Sequence, residues 1–595
     1  MLKFPYGNAN FYNIITENYF YIDRTDRIRN IEARSRALLF LRPRRFGKSL
    51  LLSMLENYYD VRRAAEFESL FGQLAIGQKP TPKHNQYFVL KWDFSGISTQ
   101  GDLEFIKQQV NNHINGCIEQ FKVRYQDWLT YDIALDPTNG LRSFVSVLAA
   151  MQTTPHLLYL FIDEYDNFAN EILMGGQAQG QKRYEDLVQG EGFLKTLFKV
   201  IKAELAGQGL DRVFITGVSP VVMSDITSGF NIAENIYLEP EFNDMCGFRE
   251  DEIATILQQI EQSCGFTADQ TRKALETMRT FYNGYSFTYD QPPLIYNPTL
   301  ALYFLKHLQA SCQYPREMLD SNLAMDRHKI TYISRLPQGE QVISAALDEA
   351  YPLTSAKLAD RFGVEDMLYG AKNRQFMVSL LYFFGVLTLT ENYTDWGELV
   401  FKIPNLVIKG LYVERIHDML LPTGLDQDQA YNTARHFYGS GDMAALCEFI
   451  EQKYYTIFDN RDYRWTNELT IKTVFMTVLF NDTFYIMDSE TPLKRDYSDF
   501  IMLVRSNMRR FKLLDFLIEF KYIPLKEIGL SGEQVRAMNY DELAEQPLVK
   551  AKLAEAQAKT PAYRQTLETT YSEKLRLHCY AVVSVGYDRL VWWEL

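Results

Sequence analysis

The chain has 595 residues, with 62 Lys and Arg against 75 Asp and Glu and a formal net charge of −13. That balance excludes a protein that coats nucleic acid over its whole surface, so any such contact has to be a local basic groove. An apolar fraction of 47% over this length is ample for three or four domains with cores of their own.

In chain order, the first informative stretch is Leu38-Leu39-Phe40-Leu41, followed by Arg42-Pro43-Arg44-Arg45-Phe46-Gly47-Lys48-Ser49 and then Leu50-Leu51-Leu52-Ser53-Met54-Leu55. A buried strand, a turn ending in Gly-Lys-Ser and an opening helix are the parts of a phosphate-binding loop. Backbone N–H groups over Arg45, Phe46, Gly47, Lys48, Ser49 and Leu50 would cradle a polyphosphate at the helix N-terminus. Lys48 would reach the β- and γ-phosphates of ATP, and the Ser49 hydroxyl would ligate Mg²⁺. In the pattern G-x-x-x-x-G-K-[ST] the first glycine falls on Arg42, which implies a different entry into the loop. The competing reading is a Gly-Lys-Ser that only caps a helix; the strand before it and the helix after it favour the loop.

Tyr87 to Ser95 reads as a second strand, and Leu157 to Ile162 as a third, apolar throughout like a parallel strand covered on both faces. The third ends in Asp163-Glu164. Asp163 would hold Mg²⁺ together with Ser49, and Glu164 would orient and deprotonate the attacking water. Taken alone the pair would read as an acidic helix cap; downstream of a phosphate loop it becomes specific. Arg212 to Ser219 is a fourth strand, with Thr216 placed as a sensor of the γ-phosphate or as a plain turn residue. Helical patterns between these strands predict a doubly wound α/β sheet with ligands at the strand C-terminal ends.

The ATPase core is expected over 1–245, a helical lid over 246–290 and a mainly helical middle domain over 291–433. Within the middle domain, a helix over 376–384 and strands over 385–390 and 398–403 resemble a winged-helix unit. Glu391, Asp395 and Glu398 around its wing favour packing over DNA binding. Helical patterns over 426–455 lead into a last domain, 434–595.

In that domain Asp515 to Ile523 reads as a strand carrying Glu519 and Lys521, which project on one face because they are two apart. Charges amid Phe, Leu and Ile are costly unless a metal or partner compensates. The preceding strand begins at Asp499, and a helix over 467–479 carries Glu468 near its start. Asp499 and Glu519 on neighbouring strands would share one Mg²⁺, with Glu468 as an additional ligand. Lys521 would steady the attacking water or the pentacovalent phosphate, an arrangement suited to phosphodiester cleavage. The competing reading is an exposed Glu–Lys pair on a hairpin. Arg505 to Lys512 between the strands is either a basic loop for a nucleic-acid backbone or a solvated tip. A polar connecting helix over 543–567 and a strand over 579–585 complete the domain.

With both centres located, the chain resembles a bacterial family that joins an AAA-like ATPase domain to a C-terminal nuclease domain of the PD-(D/E)xK superfamily. The resemblance covers nearly the whole chain. It rests on Phe4-Pro5-Tyr6-Gly7, Tyr19-Phe20-Tyr21-Ile22-Asp23-Arg24-Thr25, Arg42 to Ser49, Asp163-Glu164-Tyr165-Asp166 and Thr216-Gly217-Val218-Ser219. Ser228-Gly229-Phe230-Asn231, Cys246-Gly247-Phe248, Tyr282-Asn283-Gly284-Tyr285, Asp499 and Glu519-Phe520-Lys521 follow in order. Arg24 stands where the family usually has Lys, and Tyr497-Ser498 where it often has Gly-Arg. The resemblance implies an ATPase that gates or drives a Mg²⁺-dependent nuclease on DNA, in defence or the control of mobile elements. The alternatives are a signalling or scaffold ATPase whose nuclease-like domain binds without cleaving, and a translocating ring. A ring implies a homo-oligomer with an arginine finger from a neighbour, for which Arg44, Arg45 and Arg249 are equal candidates. The pattern does not separate DNA from RNA.

The six cysteines, at 117, 246, 264, 312, 447 and 579, form no C-x-x-C pair and read as reduced, buried thiols of a cytoplasmic protein. Eight histidines show no zinc-ligand spacing, so no structural zinc is expected. The N-terminus lacks an apolar leader core and no run reaches spanning length, so no membrane partner is expected either.

Overall fold

The structure, a computed structural model, describes the chain except residues 98–102, 168–192, 208, 221–231, 291–292, 320–326, 349–351, 360–372, 458–467, 489–498 and 572–574. Ser228 to Asn231 and Tyr497-Ser498 thus lie outside the described residues. The chain gathers into two compact units. One comprises 1–312, 331–342 and 354–404; the other comprises 313–330, 343–353 and 405–595.

The first unit is built on β1 (Ala37–Leu41), β2 (Tyr87–Asp93), β3 (Leu157–Asp163), β4 (Leu210–Gly217) and the short β5 (Glu234–Asn235). All pair in parallel, in the order β2-β3-β4-β1-β5. Every residue of β1 is buried, which is why it is apolar at every position and does not alternate. On one face Leu38, Phe40, Val89, Phe161 and Phe214 meet Leu51, Leu52, Leu55 and Tyr58 of the helix Lys48–Tyr59. Those helix positions recur at three- and four-residue steps, so one stripe is buried. On the other face Phe88 and Trp92 pack on Phe121 and Phe144 of the helices Leu103–Arg124 and Gly140–Met151. The sheet is therefore wound on both sides. Because β4 lies between β1 and β3, the ends of all three strands converge on one edge, where such sheets bind ligands.

Three helices, Glu250–Cys264, Ala268–Tyr282 and Pro298–Ser311, pack on one another. The ends of the first and third are joined by a Cys264–Cys312 disulfide. This corrects the expectation of six reduced thiols: 48 residues separate the pair in sequence, and only helix packing brings them together. Cys117, Cys246, Cys447 and Cys579 are free, and all but Cys117 are buried. The helix Arg374–Phe383 leads into β7 (Thr388–Tyr393) and β8 (Leu399–Lys402), with β6 (Leu353–Ser355) adding a third strand in the order β6-β8-β7. Gly385, at φ 77°, lies against the phosphate loop; a Cβ there would stand 2.6 Å from Pro43 Cγ. Only glycine supplies both that backbone and that clearance.

The second unit holds β9 (Tyr485–Asp488), β10 (Asp499–Val504), β11 (Asp515–Ile523), β12 (Leu577–Val585) and β13 (Arg589–Glu594), in the order β13-β12-β11-β10-β9. β11 and β12 are parallel and the other pairs antiparallel. The parallel pair needs a long crossover, supplied by four helices ending in Pro547–Thr570. The helix Glu468–Leu479 packs on β10 and β11, with Phe475 against Phe520. On the opposite face Leu517 joins one apolar cluster and Ile523 another, both closed by the helix Pro547–Thr570. Glu519 and Lys521 fall in the gap between them. No helix among the described residues is long and apolar enough to cross a membrane.

Candidate functional site

The loop after β1 enters the helix Lys48–Tyr59 through Gly47, whose backbone is left-handed at φ 94°. A side chain there would meet nothing within 4 Å, so the loop leaves open space where a phosphate needs it. Lys48 is buried, and its Nζ donates to Arg42 O at 3.0 Å and Pro43 O at 3.1 Å. Burial lowers its pKa, opposed by the charges of Glu164 and Asp163.

Ser49 Oγ donates to Asp163 Oδ2 at 2.9 Å, and Thr216 Oγ1 to Asp163 Oδ1 at 2.6 Å. Two strand ends and the start of the helix Lys48–Tyr59 thus meet at one buried carboxylate. Thr216 is fully buried and spends its hydroxyl on Asp163. Glu164 follows with φ 50°, a left-handed backbone that costs a non-glycine residue about 1 kcal/mol or more. Its amide donates to Asp163 Oδ1 at 3.0 Å, so the same carboxylate fixes both neighbours. Burial raises the Glu164 pKa and the Lys48 charge opposes the rise.

A cavity of about 320 Å³ opens beside this group, lined by Arg45 to Leu50 of the loop and by Glu164. Tyr6 and Tyr21 from the N-terminal segment, together with Met245, Phe248 and Leu302, supply apolar walls. That volume and lining suit a small ligand with one charged end. Tyr6, Tyr21 and Phe248 belong to motifs that carry the family resemblance, though with no role assigned there; Met245 and Leu302 carry no local signal in the sequence.

Arg42 accounts for the missing glycine. Its side chain is 1% exposed and lies between the rings of Phe40 and Phe287, at 4.4 and 4.2 Å. Nη1 donates to Leu41 O and Tyr237 O at 2.8 Å, and Nη2 to Phe242 O at 2.6 Å. Burial lowers its pKa to about 10, which leaves it charged at neutral pH. Arg42 therefore ties the start of the loop to the segment 237–242 and to Phe287, and Phe46 is fully buried nearby against Tyr285 and Phe287. Arg42→Ala is expected to lower the denaturant unfolding midpoint at a cost of ~2–4 kcal/mol, since the carbonyls are left unpaired. An unchanged midpoint would contradict this role.

In the second unit Asp499 and Glu519 are cross-strand neighbours in the β10–β11 ladder; the Asp499 side chain lies outside the described residues. Glu519 is 1% exposed and Lys521 4%. Lys521 Nζ stands 3.2 Å from Glu519 Oε1, 3.9 Å from Glu468 Oε1 and 3.5 Å from Glu555 Oε1. Glu468 is thus brought to the site from the start of its helix. Glu555, on the helix Pro547–Thr570, was missed because Lys552 three residues earlier makes it look like one half of a surface pair. Among the described residues no group of three or more His, Cys, Asp or Glu side chains is placed to hold a metal.

The basic loop does not adjoin this centre. It closes the far end of the β10–β11 hairpin, roughly 20 Å along the strand from Glu519. Arg505 is buried on the carbonyls of Pro315 and Thr483, and Arg509 pairs with Asp515 at 2.5 Å. Arg510 and Lys512 remain exposed.

Residues 5–227 match the AAA-ATPase-like family, described as a predicted AAA-ATPase. A protein of Azotobacter chroococcum mcd 1, an uncharacterized protein in the vnfD 5' region, is 25% identical over 309 residues. The match takes in 51% of this chain and 52% of that protein, so the chain spans about half the length of the curated relative. Among solved structures, Aeropyrum pernix ORC1, solved in complex with DNA, overlays 68% of this chain and 96% of its own at 10% identity and a TM-score of 0.24. Aeropyrum pernix ORC2, in ADPNP and ADP complexes, overlays 67% and 97% at 12% identity and a TM-score of 0.26. Both overlays are too loose to carry a structural argument. What the family match and the strand order together establish is an AAA-ATPase-like P-loop domain over residues 5–227.

Proposed function

We propose that this chain binds and hydrolyses ATP and that the nucleotide gates or drives a Mg²⁺-dependent nuclease centred on Asp499, Glu519 and Lys521, acting on DNA. The observation that carries the ATPase half is the meeting of Ser49, Asp163 and Thr216 beside an open loop over the buried Lys48. The donor set suits Mg²⁺: Ser49 and Asp163 would hold it, and it would supply charge neutralisation for the phosphates. Lys48 would exchange its two loop carbonyls for phosphate oxygens. Glu164 would accept the proton of the attacking water, and its left-handed backbone, fixed by Asp163, aims it.

Because only the carboxylate form accepts a proton, hydrolysis should fall as pH drops through the Glu164 pKa. The raised pKa puts that fall above the ordinary carboxylate range. Glu164→Gln should lower kcat by ~10²–10⁴-fold and remove this acid limb, with nucleotide affinity retained. A pH–rate profile identical in the variant would sink the assignment.

The nuclease half is supported by Lys521 among Glu519, Glu468 and Glu555, and by the place of Asp499 opposite Glu519. Mg²⁺ would sit with Asp499 and Glu519, with Glu468 at the margin, while Lys521 would face the scissile phosphate. The domains proposed are the ATPase core over 1–245, the lid over 246–290, the middle domain over 291–433 and the nuclease-like domain over 434–595. A second reading, a signalling or scaffold ATPase that binds nucleic acid without cleaving it, is favoured by the burial of Glu519 and Lys521. Incubating the full chain with linear and circular DNA in Mg²⁺ or Mn²⁺ separates the two. Cleavage supports the first reading, and binding without cleavage the second.

A further inference from the structure

The arginines around the phosphate loop are not equivalent. Arg42 is spent on the carbonyls of Tyr237 and Phe242. Arg249 is spent on Asp244, Asp251 and Glu252. Arg45 has a left-handed backbone at φ 64°, and its carbonyl is held by Thr299 Oγ1 at 2.8 Å, at the start of the helix Pro298–Ser311.

Arg44, like Arg42 and Arg45, forms no ion pair among the described residues, but its side chain is held by a side-chain amide: its Nη2 donates to Asn167 Oδ1 at 2.5 Å. Asn167 is fixed in turn, with its amide donating to Glu164 O at 3.0 Å, so one turn carries both the Glu164 carboxylate and the arginine's latch. The charge of Arg44 also bears on Glu164, where it helps to favour the carboxylate form. An arginine held by a neutral amide keeps its charge and its remaining donors for an arriving anion, and its planar fork matches a phosphate edge. Its backbone lies four residues before Lys48, on the loop that would wrap the phosphates.

We propose that Arg44 is a ligand of the terminal phosphate of ATP supplied by the loop itself, with Asn167 holding it in place. The inference rests on the ATP reading above. It implies that the charge elsewhere provided by a neighbour's arginine comes from the same chain, so that telling triphosphate from diphosphate needs no second copy.

The test compares binding of ADP and of a non-hydrolysable ATP analogue, with Mg²⁺, to full-length wild type, Arg44→Ala, Arg44→Lys and Arg45→Ala by titration calorimetry. Wild type should prefer the analogue. Arg44→Ala should hold ADP within about twofold and lose roughly tenfold or more on the analogue, the size of one charge-assisted hydrogen bond. Arg44→Lys should recover part of the loss. Equal weakening of both ligands in Arg44→Ala, a preserved preference for the analogue, or loss of that preference in Arg45→Ala instead would each overturn the assignment. Wild type that binds neither nucleotide would overturn the ATP reading itself.

Discussion

Lys48→Ala should weaken nucleotide binding by about 30-fold or more while the protein stays folded. Lys48 is 4% exposed, and among the described residues its ammonium donates to the carbonyls of Arg42 and Pro43, so burial already works against its charge. Deleting it removes a desolvated charge along with two hydrogen bonds, and these terms oppose each other in the empty protein. With a polyphosphate in the loop the balance changes, because the ammonium would then face the highest negative charge on the ligand. Losing one partner of such a buried pair costs ~2–5 kcal/mol, or about 30- to 5000-fold in affinity. Titration with ADP and with an ATP analogue reads this directly. Affinity within threefold of wild type would show that the Gly-Lys-Ser turn is only a helix cap.

The second large effect is expected at Lys521. It lies among Glu519, Glu468 and Glu555, and Glu519 is buried beside it. Lys521→Met should lower Mg²⁺-dependent DNA cleavage by ~10²–10³-fold, the loss typical of removing one aimed electrostatic donor. It also leaves the Glu519 charge without this partner, which costs ~3–5 kcal/mol when the group is buried. A fall in activity alone would therefore not separate chemistry from folding. The double variant Glu519→Gln/Lys521→Met removes both charges and should regain most of the lost stability without regaining cleavage. Cleavage at the wild-type rate in either variant would exclude this centre. Cleavage restored in the double variant would make the pair structural.

The parts legible in the sequence were those written in contiguous residues. β1, the loop and its helix are adjacent, and β3 with Asp163-Glu164 announces itself by an apolar run ending in acid. β11 is read at its observed limits, Asp515–Ile523, because Glu519 and Lys521 interrupt a pattern that is otherwise unbroken. β9 and β13 were not read. β9 is four residues long, and β13 pairs a buried Leu590-Val591 with an exposed tail, so neither carries a full period. Arg42 was visible as a departure from the motif, but its partners Tyr237, Phe242 and Phe287 lie about 200 residues or more away, and only tertiary packing discloses them. The same holds for Cys264 with Cys312, and for Glu555 beside Lys521. Local pattern located the reactive residues; long-range contacts decided which neighbours hold them.

The central claim is that nucleotide at Lys48 and Ser49 controls cleavage at Glu519 and Lys521. The most direct test is the initial rate of linear DNA cleavage by the full-length protein in Mg²⁺, with and without ATP, for wild type and Lys48→Ala, with Lys521→Met as the blank. ATP should change the wild-type rate, Lys48→Ala should not respond to ATP, and Lys521→Met should cleave ~10²–10³-fold more slowly than wild type in either condition. A wild-type rate indifferent to ATP, or an equal ATP response in Lys48→Ala, would contradict the claim.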